Sequence, residues 1–131
     1  MTTRPSPFLG MRHIALVVEK FDECERFYTH IMGMNILRRA NDNLVYLSTG
    51  QDNLSLSRAL GERSTSNTSV DHFGFMVESK QALQHWFEFM EVEGVTLLDQ
   101  PHDHSDGARS FHCVDPEGHI VQPIYHPAIF Q

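Results

Sequence analysis

An internal repeat constrains the fold of this chain more than any other feature of its sequence. Residues 12–19 (RHIALVVE) are similar to residues 71–78 (DHFGFMVE), and the shift between the copies is 59 positions (72 minus 13). His13 and His72 therefore occupy equivalent places, and each copy precedes a segment with a helical pattern. A duplicated strand and helix with one histidine in register predicts two half-sites that face each other across one central pocket.

The repeat continues into one amphipathic helix in each half. Its apolar residues recur at i, i+3, i+4 and i+7, a spacing that lays one stripe of each helix on a sheet. These residues are Cys24, Phe27, Tyr28 and Ile31, then Leu83, Trp86, Phe87 and Met90. Gly33 and Gly94 are expected to end the helices in the left-handed conformation. Asp22 and Ser79 are expected to cap their first turns.

Strand signals follow each helix, so each half has the order strand, helix and three strands. The expected strands after the helices are 35–39, 43–49 and 53–57 in the first half, then 95–99, 109–114 and 119–124 in the second. Residues 61–69 are small and polar, which predicts a linker between the halves. We expect one domain over residues 1–131, with module one at about 9–63 and module two at about 68–126.

Alternation along the first strand of each half separates its side chains into two faces. Ile14, Leu16 and Val18 form the apolar face that a helix would cover, so His13 points to the other side. The same reasoning places His72 on the side opposite its helix. If the two sheets curl into one cup, both histidines reach its interior and can hold a metal or a polar ligand.

Composition limits the classes of partner. Ten Lys and Arg against 17 Asp and Glu give a formal net charge of −7, which disfavours nucleic acid and anionic membrane surfaces. The sequence shows neither a secretory signal nor a membrane-spanning run, so we expect a cytoplasmic protein. Only Cys24 and Cys113 are present, and we expect both thiols to be structural.

Three segments carry a resemblance to a known family. Residues 11–14 and 27–34 (FYTHIMGM) resemble the opening strand and first helix end of the vicinal oxygen chelate superfamily, and residues 115–122 (DPEGHIVQ) resemble its closing hairpin. This superfamily includes glyoxalases, bleomycin-resistance proteins and extradiol dioxygenases. The resemblance implies an α+β fold in which two βαβββ modules form a cup-shaped eight-stranded sheet with the helices outside, often in a homodimer.

The resemblance also implies a central divalent metal ion held at four corners. His13, His72 and Gln122 match three of those corners. The fourth falls at Ser55, or at Ser57 if the hairpin slips by one pleat. Tyr46 and His112 are expected to contact a small-molecule ligand together with these serines. The metal is Fe, Mn, Zn or Ni by analogy, or no metal at all, and the sequence identifies no catalytic residue.

Two carboxylates that the family usually places at the metal are missing here, because Gln122 and Ser55 stand in their positions. Two imidazoles and an amide oxygen leave the charge of a divalent ion uncompensated, so metal affinity is expected to be low. Neither residue can move a substrate proton as a metal-bound glutamate does, which disfavours glyoxalase I activity. Ring cleavage is disfavoured less strongly, because other relatives use glutamine as a ligand.

Residues 102–106 contain two histidines and two aspartates, His102, His104, Asp103 and Asp106. We expect a solvated loop, with a lid over the cup as the alternative. Three functions remain open: a metal-dependent enzyme related to lyases, isomerases or dioxygenases, a metal-free protein that binds or sequesters a small molecule, and a scaffold without a working pocket. The modules pair either within one chain or between two subunits of a dimer.

Overall fold

The computed structural model describes residues 3–62 and 69–129, so most of the predicted linker, residues 63–68, lies outside the described residues. The first module contains β1 (His13–Val18), α1 (Phe21–Arg26), a π-helical turn (Phe27–Ile31), β2 (Asn35–Asn41), β3 (Leu44–Ser48) and β4 (Asn53–Arg58). The second contains β5 (Phe73–Met76), α2 (Lys80–Val92), β6 (Thr96–Leu97), β7 (His102–Asp103), β8 (Arg109–Ser110), β9 (Cys113–Val114) and β10 (Ile120–Tyr125).

The two modules have the same sheet topology. In the first sheet the strand order is β1, β4, β3, β2, with β1 parallel to β4. In the second, β5 is parallel to β10, and β10 pairs antiparallel with both β8 and β9. The register of β8 and β9 against β10 is continuous, so they are the two ends of one strand interrupted at residues 111–112. β6 and β7 complete the outer position, and the predicted α+β fold with its cup-shaped arrangement of eight strand positions is confirmed.

The predicted helix ends are confirmed at three of four places. Ser79 caps α2, because its side chain accepts a hydrogen bond from the backbone N–H of Ala82 at 3.0 Å. Gly33 and Gly94 have positive φ angles of 80° and 77°, the left-handed conformation that glycine adopts without a Cβ penalty. In the described ranges no helix is both long and apolar enough to cross a bilayer.

The expected cap at Asp22 is wrong. Helix α1 begins at Phe21 and has no side-chain cap, while Asp22 forms an exposed ion pair with Arg58. The backbone N–H groups before the helix are satisfied by Glu117 from the second module, whose carboxylate accepts from Glu19 and Lys20 at 2.8 and 2.9 Å. The turn of the closing hairpin, residues 115–118, therefore also binds the start of α1.

The core lies between the helices and the convex faces of the sheets, where the alternation of the strands placed their apolar side chains. Val18, Leu16 and Phe21 are buried in the first module. The helix stripes are buried or half-buried as expected from their spacing; the fully buried members are Cys24, Tyr28, Leu83 and Met90. Because both stripes belong to one continuous apolar cluster, the two modules share a core.

A buried carboxylate joins the two modules through that core. Asp115 accepts a hydrogen bond from the Tyr28 hydroxyl at 2.7 Å and from His119 Nδ1 at 2.8 Å. It also accepts from the backbone N–H groups of Glu117 and His119. Burial raises the pKa of Asp115, but the hydrogen bonds from His119 and Tyr28 outweigh it and hold the pKa below 3.8. Asp115 is thus an ionised acceptor whose partners come from both modules.

Replacing Tyr28 by phenylalanine should destabilise the fold by about 1–3 kcal/mol, the usual cost of leaving a buried acceptor without one of its donors. Urea unfolding of the purified protein measures this change. Tyr46→Phe is the matched control, because Tyr46 is only half-buried, and we expect its effect to stay within about 0.5 kcal/mol. Equal losses in the two variants would contradict the role given to the Tyr28 hydroxyl.

The pair of His119 and Asp115 should make stability depend on pH. The hydrogen bond from His119 to Asp115 raises the pKa of His119 above 6.5. The charged pair therefore stabilises the fold fully below the unfolded value of 6.5, and this contribution is lost as pH rises through the folded pKa. The free energy of unfolding of His119→Gln should differ from that of the original protein more at about pH 5.5 than at about pH 9. A difference that grows with pH would refute this assignment.

Candidate functional site

His13 and His72 line one cleft between the two modules, as the repeat predicts. The cleft has a volume of about 790 Å³, which is within the range of sites that hold small organic molecules. It runs from the start of β1, past the turn at residues 32–34, to β5 and α2. Most of its remaining lining is apolar, and includes Met32, Met34, Phe73, Phe75, Met76 and Trp86.

Each of the two histidines has one ring nitrogen occupied by an oxygen acceptor. Nδ1 of His13 donates to Oδ1 of Asn53 at 2.6 Å, and Nδ1 of His72 donates to Oδ2 of Asp71 at 2.7 Å. Both side chains are exposed. Because the acceptor fixes the proton on Nδ1, each neutral ring has its lone pair on Nε2. The sequence analysis missed Asn53 and Asp71; adjacency to His72 was the only signal for Asp71.

Sheet register determines which serine corresponds to Gln122. Gln122 lies opposite Gly74, two residues after His72, and Ser55 lies opposite Ala15, two residues after His13. Ser55 rather than Ser57 is therefore the equivalent of Gln122. Neither lines the cleft, and the same holds for Ser57. The close approach at Gly74 leaves no room for a side chain, since a Cβ there would lie 2.6 Å from the carbonyl oxygen of Gln122.

Tyr46 and His112 occupy equivalent positions in the two sheets, although neither lines the cleft. Tyr46 pairs with Ser55, and the continuous register of β8 and β9 against β10 places His112 opposite Gln122. Both side chains are half-buried. These residues thus stand next to the expected corners of the cup in each module, on strands one position further from its centre.

The second module brings four imidazoles into a row. The ring centroids of His72 and His112 lie 5.5 Å apart at a right angle, those of His112 and His102 lie 6.5 Å apart, and those of His102 and His104 lie 4.9 Å apart. His72 is the member of this row that also lines the cleft. The row therefore begins at His72 in the cleft and continues outside it along the second sheet.

The expectation that residues 102–106 form a solvated loop is correct in that most of the segment is exposed, and wrong at its first two residues. His102 and Asp103 form the short strand β7, which pairs with β8. Asp103 also binds Lys80 of α2 at 3.3 Å and Arg109 of β8 at 3.2 Å, and hydrogen bonds from Arg109 and Lys80 lower its pKa. These contacts hold the segment on the second sheet. Its histidines therefore lie beside His112 without the closing movement of a lid.

Asp99 is a site residue that the sequence analysis did not identify. Its Oδ1 accepts from the backbone N–H of His112 at 2.6 Å, and its Oδ2 accepts from Nδ1 of the same residue at 2.8 Å. One carboxylate thus fixes both the backbone and the ring of His112. Asp99 follows β6, and no local motif marks it.

The thiols are unsuited to chemistry at this site. Cys24 and Cys113 are both free and buried. Burial is the main cause that raises the pKa of each to about 12, so both stay protonated and unreactive near neutral pH. The expected structural role of the cysteines agrees with this placement.

The donors at the expected metal corners are neutral. In the ranges 3–62 and 69–129, no three His, Cys, Asp or Glu side chains are placed to share one metal ion. Gln122 adds an amide, whose Nε2 donates to the Ser110 hydroxyl at 3.0 Å and leaves Oε1 open. His13, His72 and Gln122 fit a divalent metal in donor type, while the missing carboxylates predict weak affinity.

The fold and the position of the histidines define a member of the glyoxalase class of paired-module proteins. A family model described as the Glyoxalase/Bleomycin resistance protein/Dioxygenase superfamily matches residues 10–122. The chain belongs to this superfamily. No curated protein matches the sequence.

Solved structures with the same fold share little sequence with this chain. A lactoylglutathione lyase from Agrobacterium tumefaciens has a TM-score of 0.75 at 19% identity, covering 92% of this chain and 96% of that one. An integron cassette protein from the Halifax Harbour sewage outfall metagenome has a TM-score of 0.77 at 22% identity, covering 90% and 99%. TioX from Micromonospora sp. ML1 has a TM-score of 0.71 at 17% identity, covering 89% and 98%. At these identities the likeness establishes the fold alone.

Proposed function

We propose that this protein binds a small, largely apolar organic molecule that carries oxygen, in the cleft between its two modules. The observation that supports this proposal most directly is that His13 and His72 line the same cleft, each with Nδ1 already bonded to an oxygen, which leaves Nε2 as the nitrogen that can accept from a ligand. The histidines are joined by a few other polar residues in a mostly apolar lining, Arg12, Thr49, Asp52 and Asn53. Such a lining is typical of small-molecule sites, where a few polar groups orient the ligand.

The lining residues favour a ligand with a planar or flexible apolar body. Methionines from both modules and aromatic side chains from β5 and α2 surround the cleft. Methionine adapts its shape to irregular ligands, and aromatic rings provide large contact areas. The apolar part of the ligand would therefore supply most of the affinity, and the histidines would select its oxygen-bearing end.

Trp86 provides a direct assay, because it is the only tryptophan of the chain and lines the cleft. Binding of para-nitrobenzyl alcohol, a nitroaromatic probe with one hydroxyl, should quench its fluorescence. Replacing His72 or His13 by glutamine should weaken binding about fivefold, the equivalent of one hydrogen bond of about 1 kcal/mol.

The control for this titration is His30→Gln, since His30 is exposed and does not line the cleft. We expect the control to bind the probe as the original protein does. Equal affinity in all four proteins would remove the histidines from the site, and a probe that fails to quench Trp86 would argue against the cleft itself.

A second candidate is a metal-dependent enzyme, as expected from the sequence. It is favoured by the hydrogen bonds of His13, His72 and Gln122, which leave one nitrogen or oxygen of each side chain open. Such outer hydrogen bonds normally orient metal ligands. A bound divalent ion would act as a Lewis acid toward oxygens of the ligand.

This candidate predicts that Gln122→Glu increases the affinity for Zn²⁺ or Ni²⁺ by roughly tenfold or more, because a carboxylate partly neutralises the ion. Equilibrium dialysis followed by elemental analysis measures the bound metal. Gln81→Glu, an exposed position on α2, controls for the added charge, and His72→Ala should abolish binding. The same metal content in the Gln122 and Gln81 variants would exclude Gln122 as a ligand.

Within this proposal the chain forms a homodimer and acts in the cytoplasm, and both statements remain predictions from the sequence. Lyase, isomerase and dioxygenase activities belong to the second candidate. None of them is needed for the binding function, which requires only the cleft and the two histidines.

A further inference from the structure

The imidazoles in and next to the cleft share one feature, a hydrogen bond from Nδ1 to an oxygen acceptor, that the binding function alone does not require. In His72 and in His112, Nδ1 donates to an aspartate, Asp71 and Asp99 respectively, at 2.7 and 2.8 Å. A carboxylate accepts hydrogen bonds and does not donate them when ionised. The proton of each neutral ring is therefore fixed on Nδ1, and Nε2 is an acceptor.

His102 has the same arrangement. Its Nδ1 lies 2.9 Å from the backbone carbonyl oxygen of Gln100, an atom that can only accept. The ring of His102 lies 6.5 Å from that of His112, which in turn lies 5.5 Å from that of His72. In the described part of the chain, no hydrogen bond reaches Nε2 of these three rings. Strand register places these three adjacent residues on the same face of the second sheet, because His102 pairs with Ser110, two residues before His112, and Gln122 pairs with Gly74, two residues after His72.

We propose that the bound molecule reaches from the cleft past His72 onto His112 and His102, and that these three rings of the row select ligands that donate hydrogen bonds. The bound molecule then carries hydroxyl groups rather than carbonyl or ether oxygens alone. This inference rests on the proposed binding function and specifies its ligand class. A site built from fixed acceptors discriminates against a ligand without donors, because its polar groups are then left unpaired.

Asp99 is the positioning residue of the row. It holds the backbone N–H of His112 with one oxygen and the ring with the other, so both the place and the tautomer of the ring depend on it. In Asp99→Asn the amide can keep the backbone contact through its oxygen while its NH₂ group donates to Nδ1. The ring then carries its proton on Nε2 and becomes a donor toward the ligand.

The test compares two probes of similar size, para-nitrobenzyl alcohol, which donates a hydrogen bond, and para-nitroacetophenone, which only accepts. Quenching of Trp86 gives both dissociation constants in the same buffer at about pH 8. The original protein should bind the alcohol roughly tenfold more tightly than the ketone. In Asp99→Asn this ratio should fall to about one or reverse.

Asp42→Asn, at an exposed turn, is the matched control and should keep the ratio of the original protein. His112→Gln is a second test that leaves Asp99 in place. It should also lower the ratio, because an amide offers both a donor and an acceptor. A thermal unfolding curve shows whether each variant is folded. If Asp99→Asn does not fold, the ratio of the two dissociation constants in His112→Gln tests the proposal by itself.

The possible failures separate the inference from the function on which it rests. If the original protein binds both probes equally, or prefers the ketone, the donor selectivity is refuted while the binding function stands. An unchanged ratio in Asp99→Asn and His112→Gln refutes the role of the row. If neither probe binds, both the inference and the proposed function fail.

Discussion

The buried carboxylate of Asp115 is the interaction on which the arrangement of the two modules depends. It is an ionised group within the core, and such a group is tolerated only when its oxygens are fully hydrogen-bonded. Its partners include Tyr28 from the first module and His119 from the second. The neighbouring Glu117 binds the backbone at the start of α1. The cleft with His13 and His72 exists because these contacts hold the modules side by side.

Local periodicity made most of the fold predictable from the sequence. The alternation in β1 and the helical stripe that includes Leu83 depend only on near neighbours, and both are confirmed by the burial pattern. The cap of α1 could not be predicted in the same way. Its backbone is satisfied by Glu117, which is almost one hundred residues away in sequence, and no local pattern reports such a contact.

The residues of the candidate site likewise include some that local sequence patterns predict and one that they do not. The repeat marked His13 and His72 because duplication preserves position, and strand register gave Gln122 and its counterpart Ser55. The role of Asp99 depends on the interruption between β6, which pairs with β9, and β7, which pairs with β8, because the register of the outer strand against its neighbour changes there. A shift of this kind changes which side chains meet across a sheet, and sequence periodicity does not encode it.

The carboxylates near the candidate site lie behind two of its histidines and not at the expected metal corners. Gln122 and Ser55 are neutral where relatives usually have carboxylates, whereas Asp71 and Asp99 stand directly behind the rings of His72 and His112. A carboxylate at those corners would repel an acidic ligand oxygen and attract a cation, whereas a carboxylate behind an imidazole accepts from Nδ1 and fixes the proton of the neutral ring there. Under the proposed function, the neutral rings therefore offer Nε2 as a hydrogen-bond acceptor on the side away from the carboxylates. The proposed preference for neutral hydroxylated molecules over anions follows from this placement of the carboxylates, because the hydrogen bonds of the ligand and not its charge would then decide which molecule binds.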